Sequence, residues 1–293
     1  MEQISKTQPP LGGRPLVFPR GQEHPVQSPL FWVEQKDRYL RQLLIRDIEE
    51  ETGRRLVVYF ANKYEAGSDI QAADIANLTE VLFEPGLTEV DIFLETGGGS
   101  TDATESLIST IKSIVSDLQV IVPNAAKSNG TLLALAARCI IMGATSELGP
   151  IEPSIQGIPC SILDTPEIAG QNFPLHMLGK FALQQSRSVA TQLLSSGMMA
   201  EKTQEEIESA VDALASRNKF PSHGSVVDHR EATSLGLKIE YMPPESSIWQ
   251  KYWLLYCMYD YDSRKNRLLK IFESRSRSLA IAAVPVGAVS PAR

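Results

Sequence analysis

Two short stretches hold the residues best suited to chemistry: Glu95-Thr96-Gly97-Gly98-Gly99-Ser100 and Ala126-Lys127-Ser128-Asn129-Gly130-Thr131. Each follows an apolar run that reads as a strand, and each opens onto a pattern that reads as a helix. The first presents glycine N–H groups beside a helix start, which suits a developing oxyanion. The second sets a small hydroxyl nucleophile at a strand-to-helix turn. An oxyanion cradle followed by a serine at a helix N-terminus is the minimum an acyl-transfer site needs, so a serine hydrolase, in particular a peptidase, is expected. The plain alternative for Ser128 is a helix N-cap, a role serine often fills. A phosphate cradle is the rival for the glycines. The run Gly97-Gly98-Gly99-Ser100-Thr101-Asp102 lacks the third glycine of G-x-G-x-x-G and the lysine of a P-loop, which argues against a nucleotide site.

The elements that must position these residues follow from periodicity. Helical patterns cover 31–52, 69–83, 100–118 and 128–137; short apolar runs at 55–60, 90–94, 120–122 and 139–142 read as strands. The alternation is a βαβ series, hence an α/β fold with a mostly parallel sheet and right-handed crossovers. The strands are continuous apolar runs, as expected where helices cover both faces. From Leu163 the chain turns mostly helical, with helices expected over 175–196 and 201–217. A last helical turn and its glycine stop fall at 230–237, and a strand at 238–241. A helix over 248–272 carries Trp249, Tyr252, Trp253, Tyr256, Tyr259 and Tyr261, a stripe read as core or subunit packing.

Composition narrows the classes further. The chain has 293 residues, 43% hydrophobic and 22% charged, with net charge −7. Dispersed acidic charge does not favour nucleic acid. Cys139, Cys160 and Cys257 are far apart and odd in number, which fits a reduced, cytoplasmic setting and no disulfide framework. The four histidines, His24, His176, His223 and His229, form no zinc motif, so neither a metal nor another cofactor is expected. Residues 1–30 contain six prolines and no apolar signal-peptide core, and read as a disordered arm. The apolar run 279–289 is broken by Pro285 and Gly287 and is too short for a membrane span. The expected organisation is a Pro-rich arm (1–30), a catalytic domain (31–245), an aromatic helix (246–273) and a flexible tail (274–293).

The two motifs, in this order and on these elements, resemble the ClpP/crotonase superfamily, and within it the SppA-like serine peptidases of the serine dehydrogenase proteinase family. Thr96-Gly97-Gly98-Gly99 is similar to that family's T-P-G-G turn, and Ala126-Lys127-Ser128-Asn129-Gly130-Thr131 to its A-x-S-A-G-T-like turn. Ser146-Glu147-Leu148-Gly149-Pro150-Ile151-Glu152-Pro153-Ser154 resembles S-x-L-G-P-I-D-P-Q, and His223-Gly224 through Glu231-Ala232 and Leu235-Gly236-Leu237 resembles H-G…E-A-x-x-L-G-L. The resemblance implies a ClpP/crotonase-like core, Ser128 as nucleophile, and the N–H groups of Gly98 and Asn129 as the oxyanion hole. It also implies a peptide or protein substrate and a homo-oligomer. Gly97 stands where the family has proline, and Asn129 where it has a small residue, adding bulk where substrate would pass.

A serine nucleophile needs a base. Lys180 follows Ser128 at a spacing similar to that of the lysine in SppA-like enzymes, in the apolar setting Met177-Leu178-Gly179-Lys180-Phe181, and ranks first. His176 ranks second and His223 third, while Lys127 is expected to point away. The position matching the ClpP histidine, near Pro153, holds none. Two further readings stay open. One is a crotonase-type acyl-thioester enzyme with Glu147 or Glu152 as its acid; the other is an inactive scaffold of the same fold.

Overall fold

The computed structural model describes residues 28–83 and 88–283. Most of the Pro-rich arm and the last part of the expected tail lie outside them.

Helix α1 (Pro29–Glu34) starts where Ser28 Oγ accepts from Phe31 N, and α2 (Lys36–Thr52) stops at Gly53, whose φ of 70° is left-handed. Strand β1 (Arg55–Ala61) follows, then α3 (Ala73–Leu82) and β2 (Glu89–Glu95). The expected start of α3 at Asp69 moves to Ala73. The Asp74 carboxylate accepts from Gln71 N and Tyr59 Oη, a turn that delays the helix. Next come α4 (Thr101–Ile114), β3 (Asp117–Val122), β4 (Ala125–Ala126), α5 (Asn129–Leu135) and β5 (Cys139–Met142). Short pieces then lead outward: β6 (Glu147–Leu148), the hairpin β7 (Ser154–Ile155) and β8 (Ile158–Pro159), α6 (Cys160–Leu163) and α7 (Pro166–Gln171). Helices α8 (Phe173–Ser196), α9 (Gln204–Ala215) and α10 (His229–Ser234) precede β9 (Ile239–Tyr241). The described chain closes with α11 (Ser247–Lys265), β10 (Leu268–Glu273) and β11 (Ser278–Ala282).

One seven-stranded sheet runs β11-β10-β1-β2-β3-β5-β9. Strands β1, β2, β3, β5 and β9 run parallel to one another, while β10 and β11 are antiparallel additions at one edge. The alternation of side chains along β1 explains the two faces. Leu56, Val58 and Phe60 meet α2 and α11 through Leu44, Ile45, Ile48, Trp249, Tyr252 and Tyr259. Val57, Tyr59 and Ala61 meet the larger core formed with α3, α4, α5, α8 and α9. The mostly parallel α/β architecture is therefore as expected. The aromatic stripe is core, though the buried face is Trp249, Tyr252 and Tyr259, with Trp253 36% exposed. Trp249 reaches the backbone at the end of β5: a β-carbon on Gly143 would lie 2.2 Å from its ring, so only glycine fits there.

The C-terminal expectation needs correction. The helix read through Phe272 ends at Lys265, and residues 268–273 and 278–282, read as helix end and flexible tail, are strands. The reason is tertiary. Without β10, the outer edge of β1 would leave its backbone N–H and C=O groups unpaired. Charge fixes the same choice: Lys270 is 3% exposed, with Nζ 2.7 and 2.8 Å from the Asp74 carboxylate oxygens and 2.5 Å from Asp69 O. On the other face Arg41 is bonded to Asp262 and to Glu273, whose Oε2 also accepts from Tyr259 Oη at 2.7 Å.

Removing one member of such a buried pair leaves an uncompensated charge. Lys270→Met is expected to cost about 3–5 kcal/mol in urea unfolding, and Lys270→Met with Asp74→Leu to recover part of that loss.

Candidate active site

The parallel strands end together, with Phe60 opposite Glu95 and Val122 opposite Met142, so the loops after β1, β2 and β3 gather at one edge of the sheet. Open α/β sheets bind ligands at this carboxyl end. Beyond β2, Thr96 bridges Ala126: Thr96 N donates to Ala125 O at 2.9 Å, and Lys127 N donates to Thr96 O at 3.0 Å. This short ladder brings the glycine turn against the serine turn.

Ser128 stands at the N-cap position of α5 and yet does not cap it. Its φ is 53° and ψ −120°, and its side chain makes no cap hydrogen bond. A non-glycine residue held there costs of order 1–3 kcal/mol and persists only where its surroundings impose it. The residue is 8% exposed. Gly98 lies directly beside it: a β-carbon there would be 2.8 Å from Ser128 Cβ, 2.9 Å from Lys127 O and 3.2 Å from Asn129 N. With φ 103°, position 98 needs glycine for conformation as well as space. Gly98 N donates to Thr96 Oγ1 at 3.1 Å. Asn129 N belongs to the first turn of α5, whose amides an α-helix leaves without intrahelical acceptors. The backbones of Gly98 and Asn129 thus lie beside Ser128.

The Asn129 side chain does something the sequence did not suggest. Its Nδ2 donates to Gly99 O at 2.5 Å and to Thr101 Oγ1 at 3.3 Å, tying the start of α5 to the glycine turn and to α4. Thr131 supports the turn from below, its hydroxyl bonded to Ala126 O and to both Gly149 O and Gly149 N. Lys127 does point elsewhere. Its amine is bonded to Leu148 O and Ser225 O and lies 3.2 Å from Glu147, and burial lowers its pKa. Leu148 also pairs with Val227, so all four sequence blocks converge around Ser128.

No base is hydrogen-bonded to Ser128 among the described residues. Lys180 is exposed on α8 and lines a cavity of about 740 Å³ with Arg187 and Arg217, outside which Ser128 lies. His176 is half-buried, its Nδ1 3.1 Å from Leu163 O and 3.6 Å from Asp164. His223 is exposed on the turn that supplies Ser225 O to Lys127. Both proposed acids of an acyl-thioester site are already engaged. Glu147 pairs with Lys127, and Glu152 accepts from Ser161 N at 3.0 Å and Arg217 Nε at 2.9 Å. Among the described residues no cluster of three or more His, Cys, Asp or Glu could hold a metal ion, and no helix is long and apolar enough to cross a membrane.

The sequence reading gave neither Glu95 nor Lys63 a role of its own. Glu95 is 1% exposed at the end of β2, its carboxylate 3.1 Å from Lys63 Nζ and accepting from Ala125 N at 2.8 Å. Burial pushes this carboxyl up to about 7, against the opposing pull of Lys63 and the Ala125 N–H. An acid ending the otherwise apolar run Ile92-Phe93-Leu94 was the available signal. Lys63 carried none.

Residues 71–262 match the family described as ClpP-like SDH-type serine proteinases. Two uncharacterized proteins of Methanocaldococcus jannaschii, MJ0137 and MJ1495, are 30% and 31% identical over 163 and 176 residues, 53% and 55% of this chain. The matches cover 55% and 60% of those proteins, so the chain spans little more than half the length of the curated relatives it matches. A solved structure of a ClpP1 mutant from Listeria monocytogenes aligns with 68% of this chain and 98% of its own, at 13% identity and a TM-score of 0.45.

Asn129→Asp would turn the donor facing Gly99 O into an acceptor. It is expected to destabilise the fold by about 1–3 kcal/mol in thermal or urea unfolding at neutral pH, more than Asn129→Ser does.

Proposed function

The chain belongs to the ClpP-like SDH-type serine proteinases, and from that membership we propose a peptidase of the SppA-like kind with Ser128 as nucleophile and the Gly98 and Asn129 N–H groups as oxyanion hole. One observation carries this reading: Ser128 is held at φ 53° with its hydroxyl unused as a cap, in contact with a glycine that tolerates no side chain. A structural N-cap would spend its hydroxyl on the helix instead.

In this reading Ser128 Oγ attacks the scissile carbonyl while a base takes its proton. The carbonyl oxygen becomes an oxyanion between the two amides, and Thr96 Oγ1 gives up the Gly98 N–H to it. Losing one such donor typically costs about 3–4 kcal/mol of transition-state stabilisation. Collapse expels the amine, which takes the proton from the base, and water then releases the acyl group by the reverse sequence. Lys180, His176 and His223 are the base candidates, in that order. Each would have to come within hydrogen-bond reach of Ser128 on substrate binding, or be contributed by a second copy of the chain, since catalytic hydrogen bonds often tighten only in the substrate complex.

A second reading, a scaffold of the same fold without hydrolytic activity, draws on the Ser128 hydroxyl having no hydrogen-bonded base among the described residues. Mass-spectrometric mapping of a fluorophosphonate adduct separates the two. We expect labelling at Ser128, reduced to background in Ser128→Ala and strongly slowed in the variant that removes the base, with Lys180→Ala, His176→Ala and His223→Ala compared side by side. Wild-type protein that takes up no label would favour the scaffold.

A further inference from the structure

We propose that Glu95 is a positioning residue for the oxyanion site: its buried carboxylate, clamped between Lys63 Nζ and Ala125 N, sets the register of the Gly98 turn against the Ser128 turn. This proposal rests on the reading of Gly98 and Asn129 as oxyanion donors.

The geometry is a three-way tie at the junction of three strand ends. The β2 end supplies Glu95, whose carboxylate accepts from Ala125 N at 2.8 Å and lies 3.1 Å from Lys63 Nζ. The chain past β1 supplies Lys63, which also donates to Asn124 Oδ1 at 2.5 Å. Asn124 O in turn accepts from Glu147 N at 2.7 Å, and Asn124 Oδ1 is 3.4 Å from Tyr256 Oη on α11. Ala125 is thus held twice by β2, its N–H by the Glu95 side chain and its carbonyl by Thr96 N. Three residues beyond Glu95 is Gly98; three beyond Ala125 is Ser128. The carboxylate and the Thr96 ladder are therefore the links that fix one reacting turn relative to the other from the α11 side, while Asn129 links them from the α4 side.

A charge-assisted hydrogen bond is roughly twice as strong as a neutral one, so this tie tightens when Glu95 ionises. The groups facing it are Lys63, Tyr256 and Asp260, with Lys127 acting on Lys63's neighbourhood. Burial, helped by Asp260, holds the Glu95 carboxyl near 7, so the change falls in the neutral range. The folded protein holds this proton more tightly than the unfolded chain, whose carboxyl titrates near 4.5. Wild type therefore loses stability relative to Glu95→Gln as pH rises from 4.5 through about 7, while the positioning tie gains strength.

The decisive comparison is wild type against Glu95→Gln across pH 6 to 8, read two ways. The first is the ratio of their fluorophosphonate labelling rates at Ser128. The base titrates in both proteins and cancels, so the ratio is expected to rise from near one to about tenfold, within the ~100-fold that a misplacement of 1 Å can cost. The second is the pH course of the Gly98 and Asn129 amide resonances. A step with midpoint near 7 is expected in wild type, missing in Glu95→Gln, and moved to higher pH in Lys63→Met, where the carboxylate loses its counter-charge. A flat ratio, or amide shifts that follow the same course in wild type and Glu95→Gln, would overturn the proposal. Wild type that fails to label defeats the hydrolase reading instead, and the amide resonances still decide whether Glu95 sets the register.

Discussion

Everything at the candidate site depends on two backbone hydrogen bonds at Thr96. Thr96 N to Ala125 O and Lys127 N to Thr96 O extend β2 by one residue beyond the main sheet and lay it along β4. Because the side-chain period of a strand is two, this register turns Thr96 toward α5 and Glu95 toward α11. A slip of one residue would bury the wrong side chain on each face and part Gly98 from Ser128. The hydroxyls of Thr96 and Thr131, the Asn129 amide and the Glu95 carboxylate all brace this one junction.

The bracing is polar because the junction is buried and its backbone groups must find partners inside the protein. Charge is handled the same way elsewhere. Lys270 with Asp74, Arg41 with Glu273 and Asp262, and Arg54 with Asp91 join elements distant in sequence. Pairs of this kind add little net stability over apolar packing of the same volume. They tie together elements far apart in the chain: Lys270 on β10 meets Asp74 on α3, and Arg41 on α2 meets Glu273 at the end of β10. The two apolar clusters supply the driving force.

Strain completes the picture. Ser128, at positive φ, sits against Gly98, where a β-carbon would lie 2.8 Å from Ser128 Cβ, and Gly130 lets Thr96 approach α5, since a β-carbon there would lie 2.5 Å from Thr96 Cγ2. The small residues thus let the glycine turn, the serine turn and α5 pack closely together.

The parallel α/β core was legible because its signals are local. Continuous apolar runs such as Leu56 to Phe60 mark doubly covered strands, glycine stops and acids in first turns mark helix ends, and Gly98 and Ser128 sit at the turns between them. Those residues, their order and their element types were determined by the sequence alone. The hairpin β10–β11 was not, because Leu268 to Glu273 has no pattern that separates strand from helix until the open edge of β1 is in place. Nor were the partners of Lys63, Glu95 and Asn129. A side chain's partner is a matter of which strand lies beside which, and that order is set by long-range packing and the pairing of buried charge.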